Sequence, residues 1–106
     1  MNKLELIQAI LGTEEKQVQL KGTFLEVGKS YLFRTVTMIY TGRIKEMRGD
    51  EILLEDAAWI PDTKRWNNTL QEEDFNEIEP YIRPVILWRG GMLDCTEIKK
   101  LPLSQK

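Results

Sequence analysis

Apolar and polar residues alternate most clearly between Thr35 and Lys45. Val36, Met38, Tyr40 and Ile44 fall on one side, and Thr35, Thr37, Thr41, Arg43 and Lys45 on the other. A period of two with β-branched residues predicts a half-buried strand. Tyr31 to Arg34 reads as a short strand before it. Gly42 falls on the apolar side, where a glycine lets a strand bend sharply enough for a small barrel to close. "RGD", Arg48 to Asp50, predicts a tight turn, and "EILLEDA" the antiparallel return strand. Further on, "VILW" and "MLDCTEI" read as two strands separated by Arg89, Gly90 and Gly91. The expected core is Val36, Met38, Tyr40, Ile44, Ile52, Leu54, Val85 and Leu87.

Around this block the pattern changes. Residues 1–12 have helical spacing, with Leu4, Ile7 and Leu11 on one face, Asn2 able to cap and Gly12 as a stop. "VQLKG" and "TFLEVG" are ambiguous between an extra strand and a strap. Residues 58–84 form an insertion between the third and fourth strands. It is a long loop or carries a short acidic helix over "LQEEDFNEI", capped from Asn67 to Thr69 and ended by Pro80 and Pro84. Leu70, Phe75 and Ile78 are available to pack such a helix. The 99–106 tail is polar, contains a proline and is expected to be loosely ordered.

Composition narrows the possibilities. The 106 residues fit a single domain, with 42% apolar and 30% charged residues. No apolar run approaches the ~20 residues of a membrane span. The charged N-terminus does not resemble a signal peptide, so the expected location is cytoplasmic. There is no histidine, and Cys95 is the sole cysteine. A disulfide framework, a thiolate metal cluster and the usual His-activated nucleophiles are therefore not expected, nor is a cofactor. The net charge of −2 argues against a surface built wholly to grip phosphate, while leaving room for a local basic face.

The element order resembles the Sm/LSm-like (Hfq-like) family. "YLFRTVTMIYTGRIKEMRGDEILLEDA", Tyr31 to Ala57, resembles the first Sm motif, with Gly42 in the bent second strand. "VILWRGGMLDCTEI", Val85 to Ile98, resembles the second, with Arg89-Gly90 at the junction of the last two strands. The resemblance covers about half the chain. It implies a mostly β fold: a five-stranded, strongly bent barrel over 29–98 with the N-terminal helix on one end. A different small barrel or a β-roll remains an alternative. It also implies assembly into a homo-oligomeric ring of about five to seven copies through pairing of the last two strands between neighbours. The chain departs from the family's RNA-binding pattern. Glu51 and Gly49 stand where RNA-binding members usually carry a base-reading Asn and a stacking residue. A carboxylate repels phosphate, and glycine offers no face to a base.

Three functions follow for comparison. The first is a non-enzymatic ring- or tube-forming scaffold. "VILW" contains neither proline nor charge to block strand pairing, so Val85, Ile86, Leu87, Trp88, Gly90 and Gly91 are the candidate interface. Trp59 is a further aromatic anchor, although filling the core explains each Trp equally well. The second is binding of RNA or single-stranded nucleic acid by Arg43, Arg65, Trp66 and Arg89. Here "KRW" pairs charge with a stacking ring, against the plainer alternative of a solvated turn. The third is an enzyme using the carboxylates Asp50, Glu51, Glu55, Asp56 and Asp62. Glu55 and Asp56 are adjacent in the expected strand and should face opposite sides, so no catalytic residue is assigned.

Overall fold

The computed structural model describes residues 23–106. The expected N-terminal helix over 1–12 and the "VQLKG" segment lie outside the described residues. What is described is an antiparallel sheet of six strands with one short helix: β1 Ser30–Thr35, β2 Ile39–Arg48, β3 Glu51–Thr63, α1 Trp66–Glu72, β4 Phe75–Pro80, β5 Val85–Trp88 and β6 Met92–Ile98. Along the sheet the order is β4-β3-β2-β1-β6, and β5 also pairs with β3. β3 is long enough to serve two partners on one side. Its first residues, Glu51 to Leu54, meet β5, and the stretch from Ala58 to Thr63 meets β4. β5 and β6 do not pair with each other, so the sheet is not closed.

Two apolar clusters, on opposite faces, hold the sheet. β1 shows why: Tyr31 and Phe33 enter one cluster, with Ile44, Ile52, Leu54 and Leu87, while Leu32 between them enters the other. That second cluster contains Ala58, Ile60, Phe75, Ile78 and Ile98, with Trp66 and Leu101 packed against it. A strand buried on both faces loses the clean alternation of a half-buried one. The insertion and the tail supply the second roof.

At Gly42, on β2, the Leu54 side chain of β3 lies close against the backbone. A Cβ placed on the glycine would meet Leu54 Cδ1 at 3.0 Å and Leu54 Cβ at 3.1 Å. Opposite it, β3 carries one extra residue between the Thr41↔Ala58 and Arg43↔Glu55 pairs, and Asp56 takes up the bulge in the left-handed region, at φ 51°.

Several expectations need correction. The sheet has six strands and not five. The sixth, β4, comes from the insertion, where a loop or acidic helix is expected. The helix starts earlier, at Trp66, and Arg65 at its N-cap makes no side-chain cap bond. It ends at Glu72, where Glu73 turns left-handed at φ 53°. Phe75 and Ile78, three apart, would share a helix face but lie on opposite faces of a regular strand; the register shift between Asp62↔Glu77 and Thr63↔Phe75 brings both to one side of β4. Strand pairing to β3 lets both be buried against Ala58 and Ile60.

The second strand also starts later than the alternation suggests. Val36 to Met38 form a turn, because the Thr35 hydroxyl accepts from the Met38 N–H and donates to the Met38 carbonyl, both at 3.0 Å. Val36 is consequently 79% exposed and Met38 40% exposed. Of the other expected core residues, Ile44, Ile52, Leu54 and Leu87 are buried, whereas Tyr40 and Val85 are half-buried.

The "TFLEVG" segment is a strap. Leu25 anchors it in the first cluster, and the Tyr31 hydroxyl accepts from the Glu26 N–H. The tail is not loose either. Leu101 packs against the second cluster, and Lys106 and Ile78 exchange backbone hydrogen bonds. Among the described residues, no helix is long and apolar enough to cross a membrane.

Candidate assembly site

The two ends of the sheet path and the off-path strand leave three outer edges, on β4, β6 and β5. The β4 edge is taken: the Ile78 N–H donates to the Lys106 backbone oxygen at 2.9 Å, and the Lys106 N–H to the Ile78 oxygen at 3.0 Å. Among the described residues, no strand pairs with the outer edges of β5 and β6.

The orientation of β5 follows from its register. The Arg89 N–H donates to the Asp50 carbonyl at 2.7 Å, and Glu51↔Trp88, Ile52↔Leu87 and Leu54↔Val85 continue that antiparallel register. In such a ladder, backbone groups alternate between the partner strand and the open side. Leu87 and Val85 therefore bond inward to β3, and the backbone groups of Ile86 and Trp88 face outward. The side chains divide likewise. Leu87 is buried in the first cluster with Val85 packed beside it, while Ile86 and Trp88 are 46% and 60% exposed on the other face. Ile86 borders a groove of about 170 Å³ with Leu53, Glu46, Arg48 and Glu51.

Arg89 to Gly91 form one turn of 3-10 helix leading into β6. The bond to Asp50 ties this turn to the Arg48–Asp50 turn, and the Arg89 guanidinium lies 3.9 Å from the Asp50 carboxylate. Gly90 and Gly91 are not left-handed, and among the described residues a Cβ at either would meet nothing within 4 Å. In β6, Leu93 occupies the bulge between the Arg34↔Asp94 and Thr35↔Met92 pairs and is 66% exposed. The sequence reading missed Leu93 because a bulged residue breaks the alternation that would mark it. Trp59 lies away from β5, between Tyr40 and Glu79 in the register of β3.

The candidate nucleic-acid residues are engaged at separate places. Arg43 on β2 bonds Glu55 at 2.9 Å and also Asp56. These hydrogen bonds, to Glu55 first and then Asp56, raise its pKa. The expectation that Glu55 and Asp56 face opposite sides fails here, because left-handed Asp56 swings its carboxylate round to the same arginine. Trp66 is half-buried beneath the Arg34 guanidinium, 4.6 Å from the ring centroid. Arg34 in turn bonds Asp94 at 2.7 Å and holds that carboxyl below its usual range. Arg65 is exposed just before α1, and Arg89 sits beside Asp50.

Cys95 is half-buried, and burial pushes its thiol pKa up, with Asp94 adding to the effect, so thiolate chemistry is disfavoured. Among the described residues, no group of His, Cys, Asp and Glu is arranged to hold a metal ion.

No protein family, curated protein or solved structure matches the chain.

Proposed function

We propose that the protein is a non-enzymatic, Sm-like assembly module in which β5 of one copy pairs with β6 of the next. The supporting observation is the pair of edges, unpaired among the described residues, at opposite ends of the path β5-β3-β2-β1-β6 and joined in the chain by only the Arg89–Gly91 turn. Along the chain, β1, β2, β3, β5 and β6 follow in the order read from the sequence, and β4 comes from the insertion. An unpaired edge leaves backbone donors and acceptors for another strand. Two different edges meeting head to tail form a heterologous contact, which closes into a ring or continues as a tube. Ile86, Trp88 and Leu93 supply exposed apolar side chains along these edges.

Nucleic-acid binding has less support. Arg43 is neutralised by two carboxylates, Trp66 is covered by Arg34, and Arg89 lies beside the Asp50 carboxylate. The deciding measurement is mass by light scattering, before and after nuclease treatment. A defined multimer that survives nuclease is expected. A folded monomer at micromolar concentration would end the assembly reading, and loss of the multimer with nuclease would favour the nucleic-acid one.

A further inference from the structure

β4 lies within the insertion, and its outer edge holds the tail at Gln105 and Lys106, after a bend at Ser104. The contacts are of three kinds. Ile78 and Lys106 exchange a reciprocal pair of backbone hydrogen bonds, at 2.9 and 3.0 Å. The Lys106 ammonium lies 3.0 and 3.1 Å from the two oxygens of Asp74, a carboxylate also shared with Lys64 at 3.1 Å. The Gln105 amide lies 3.3 Å from each oxygen of Glu79. Upstream, Glu73 in its left-handed position receives the N–H groups of both Lys99 and Lys100, at 2.6 and 2.8 Å. A cleft of about 300 Å³ remains between this strap and the body beside Asp74 and Ile78. Beyond Leu101, which packs against the second cluster, the tail is therefore seated by directional polar bonds at a few points.

We propose that the outer edge of β4, with Asp74 at one end and Glu79 at the other, is an acceptor site for a short extended segment carrying a lysine, filled in cis by residues 104–106. Reciprocal backbone bonding to a strand edge is how an added strand is recognised, and the side-chain contacts give it selectivity. Asp74 demands a cation, and Glu79 accepts an amide. The consequence is protection. An open β4 would be a third edge beside β5 and β6, free to pair with another copy in a way that branches or aggregates. Filling it from the same chain confines pairing to the other two edges. That consequence rests on the assembly reading above, whereas the occupancy of the site does not.

The test uses the full chain. Lys106→Pro removes both the N–H given to Ile78 and the ammonium given to Asp74. The probe is a fluorescently labelled peptide with the sequence of residues 101–106, LPLSQK, followed by anisotropy. Saturable binding to Lys106→Pro is expected, at least tenfold tighter than to the wild-type chain, and it should weaken severalfold when Asp74→Asn is added. Equal binding to wild type and variant, or binding to neither, overturns the proposal. If Lys106→Pro is poorly folded, Lys106→Ala provides a second readout by amide hydrogen exchange. The Ile78 amide should exchange severalfold faster while the Ile52 amide in β3 is unchanged. No change at Ile78 overturns the proposal equally. Neither readout depends on oligomer mass, so failure here is distinct from failure of the ring reading.

Discussion

Leu54 rests directly on the backbone of Gly42, so closely that a methyl group on Gly42 would lie 3.0 Å from Leu54 Cδ1 and 3.1 Å from Leu54 Cβ. Both residues are buried, and Leu54 belongs to the first core cluster. The glycine therefore does more than permit a bend: it lets the β2 and β3 backbones and the Leu54 side chain share one narrow space. Gly42→Ala should overpack this point and destabilise the fold by about 1–3 kcal/mol. Thermal or urea unfolding measures it. Combining it with Leu54→Ala should cost less than the sum of the two single changes, since each relieves the other.

Next to Gly42, Thr41 is fully buried, and its hydroxyl has no hydrogen-bond partner among the described residues. Its register partners are Leu32 and Ala58, both in the second cluster. A buried hydroxyl without a partner carries a desolvation penalty. Thr41→Val keeps the β-branched shape and removes that group, so stability should rise by about 1 kcal/mol. Unfolding midpoints of the two proteins decide it, and a fall would mean that the hydroxyl is satisfied.

Part of the first core cluster was legible in the sequence, because Ile44, Ile52, Leu54 and Leu87 fall at apolar positions on one side of their strands. Thr41 marks the limit of that reading. Its polar neighbours suggested a solvated face, but the face is roofed by Phe75, Ile78, Trp66 and Leu101, which come from far along the chain. The turn at Val36–Met38 was hidden for a different reason. The Thr35 hydroxyl bonds that create it are local, and they leave the alternation of residue types undisturbed. Glu55 and Asp56 were placed on opposite faces by simple strand geometry, which the left-handed bulge at Asp56 overrides. At the candidate interface, the absence of proline and charge in "VILW" was readable. Which of its residues face outward depended on pairing with β3, which no local pattern specifies.

That outward set makes Ile86 a clean probe of assembly. Its backbone groups face the open side, so Ile86→Pro removes no inward bond to β3, and proline is tolerated at such edge positions. The variant should remain folded by circular dichroism while its mass by light scattering falls towards that of the monomer. Gly90 and Gly91 give a companion test. Among the described residues neither has a neighbour within 4 Å of an added Cβ, so Gly90→Ala and Gly91→Ala should change monomer stability by less than about 0.5 kcal/mol. If a second copy lies against this turn, the same methyl groups should weaken the assembly. An unchanged melting temperature with a reduced multimer fraction is the expected combination.

Acid should loosen the tail before it loosens the sheet. The Lys106 hydrogen bond, with the Phe75 backbone bond and Lys64, holds the Asp74 carboxyl well below the usual carboxylate range. Arg34 similarly lowers Asp94. A carboxyl whose pKa is lower folded than unfolded contributes stability that is fully present above its unfolded value, near 3.9, and is lost as pH falls through the folded value. The Asp74 contribution should thus be constant from neutral pH down to about pH 5 and decline below about pH 4. Both Asp74 and Lys106 are largely solvated, so the effect should weaken with salt. Asp74→Asn removes the titrating group. Its Ile78 amide should exchange faster than wild type at pH 6, and the difference should shrink as the wild-type protein is acidified. A difference that persists unchanged to the lowest pH would place the tail's attachment in contacts other than Asp74 and Lys106.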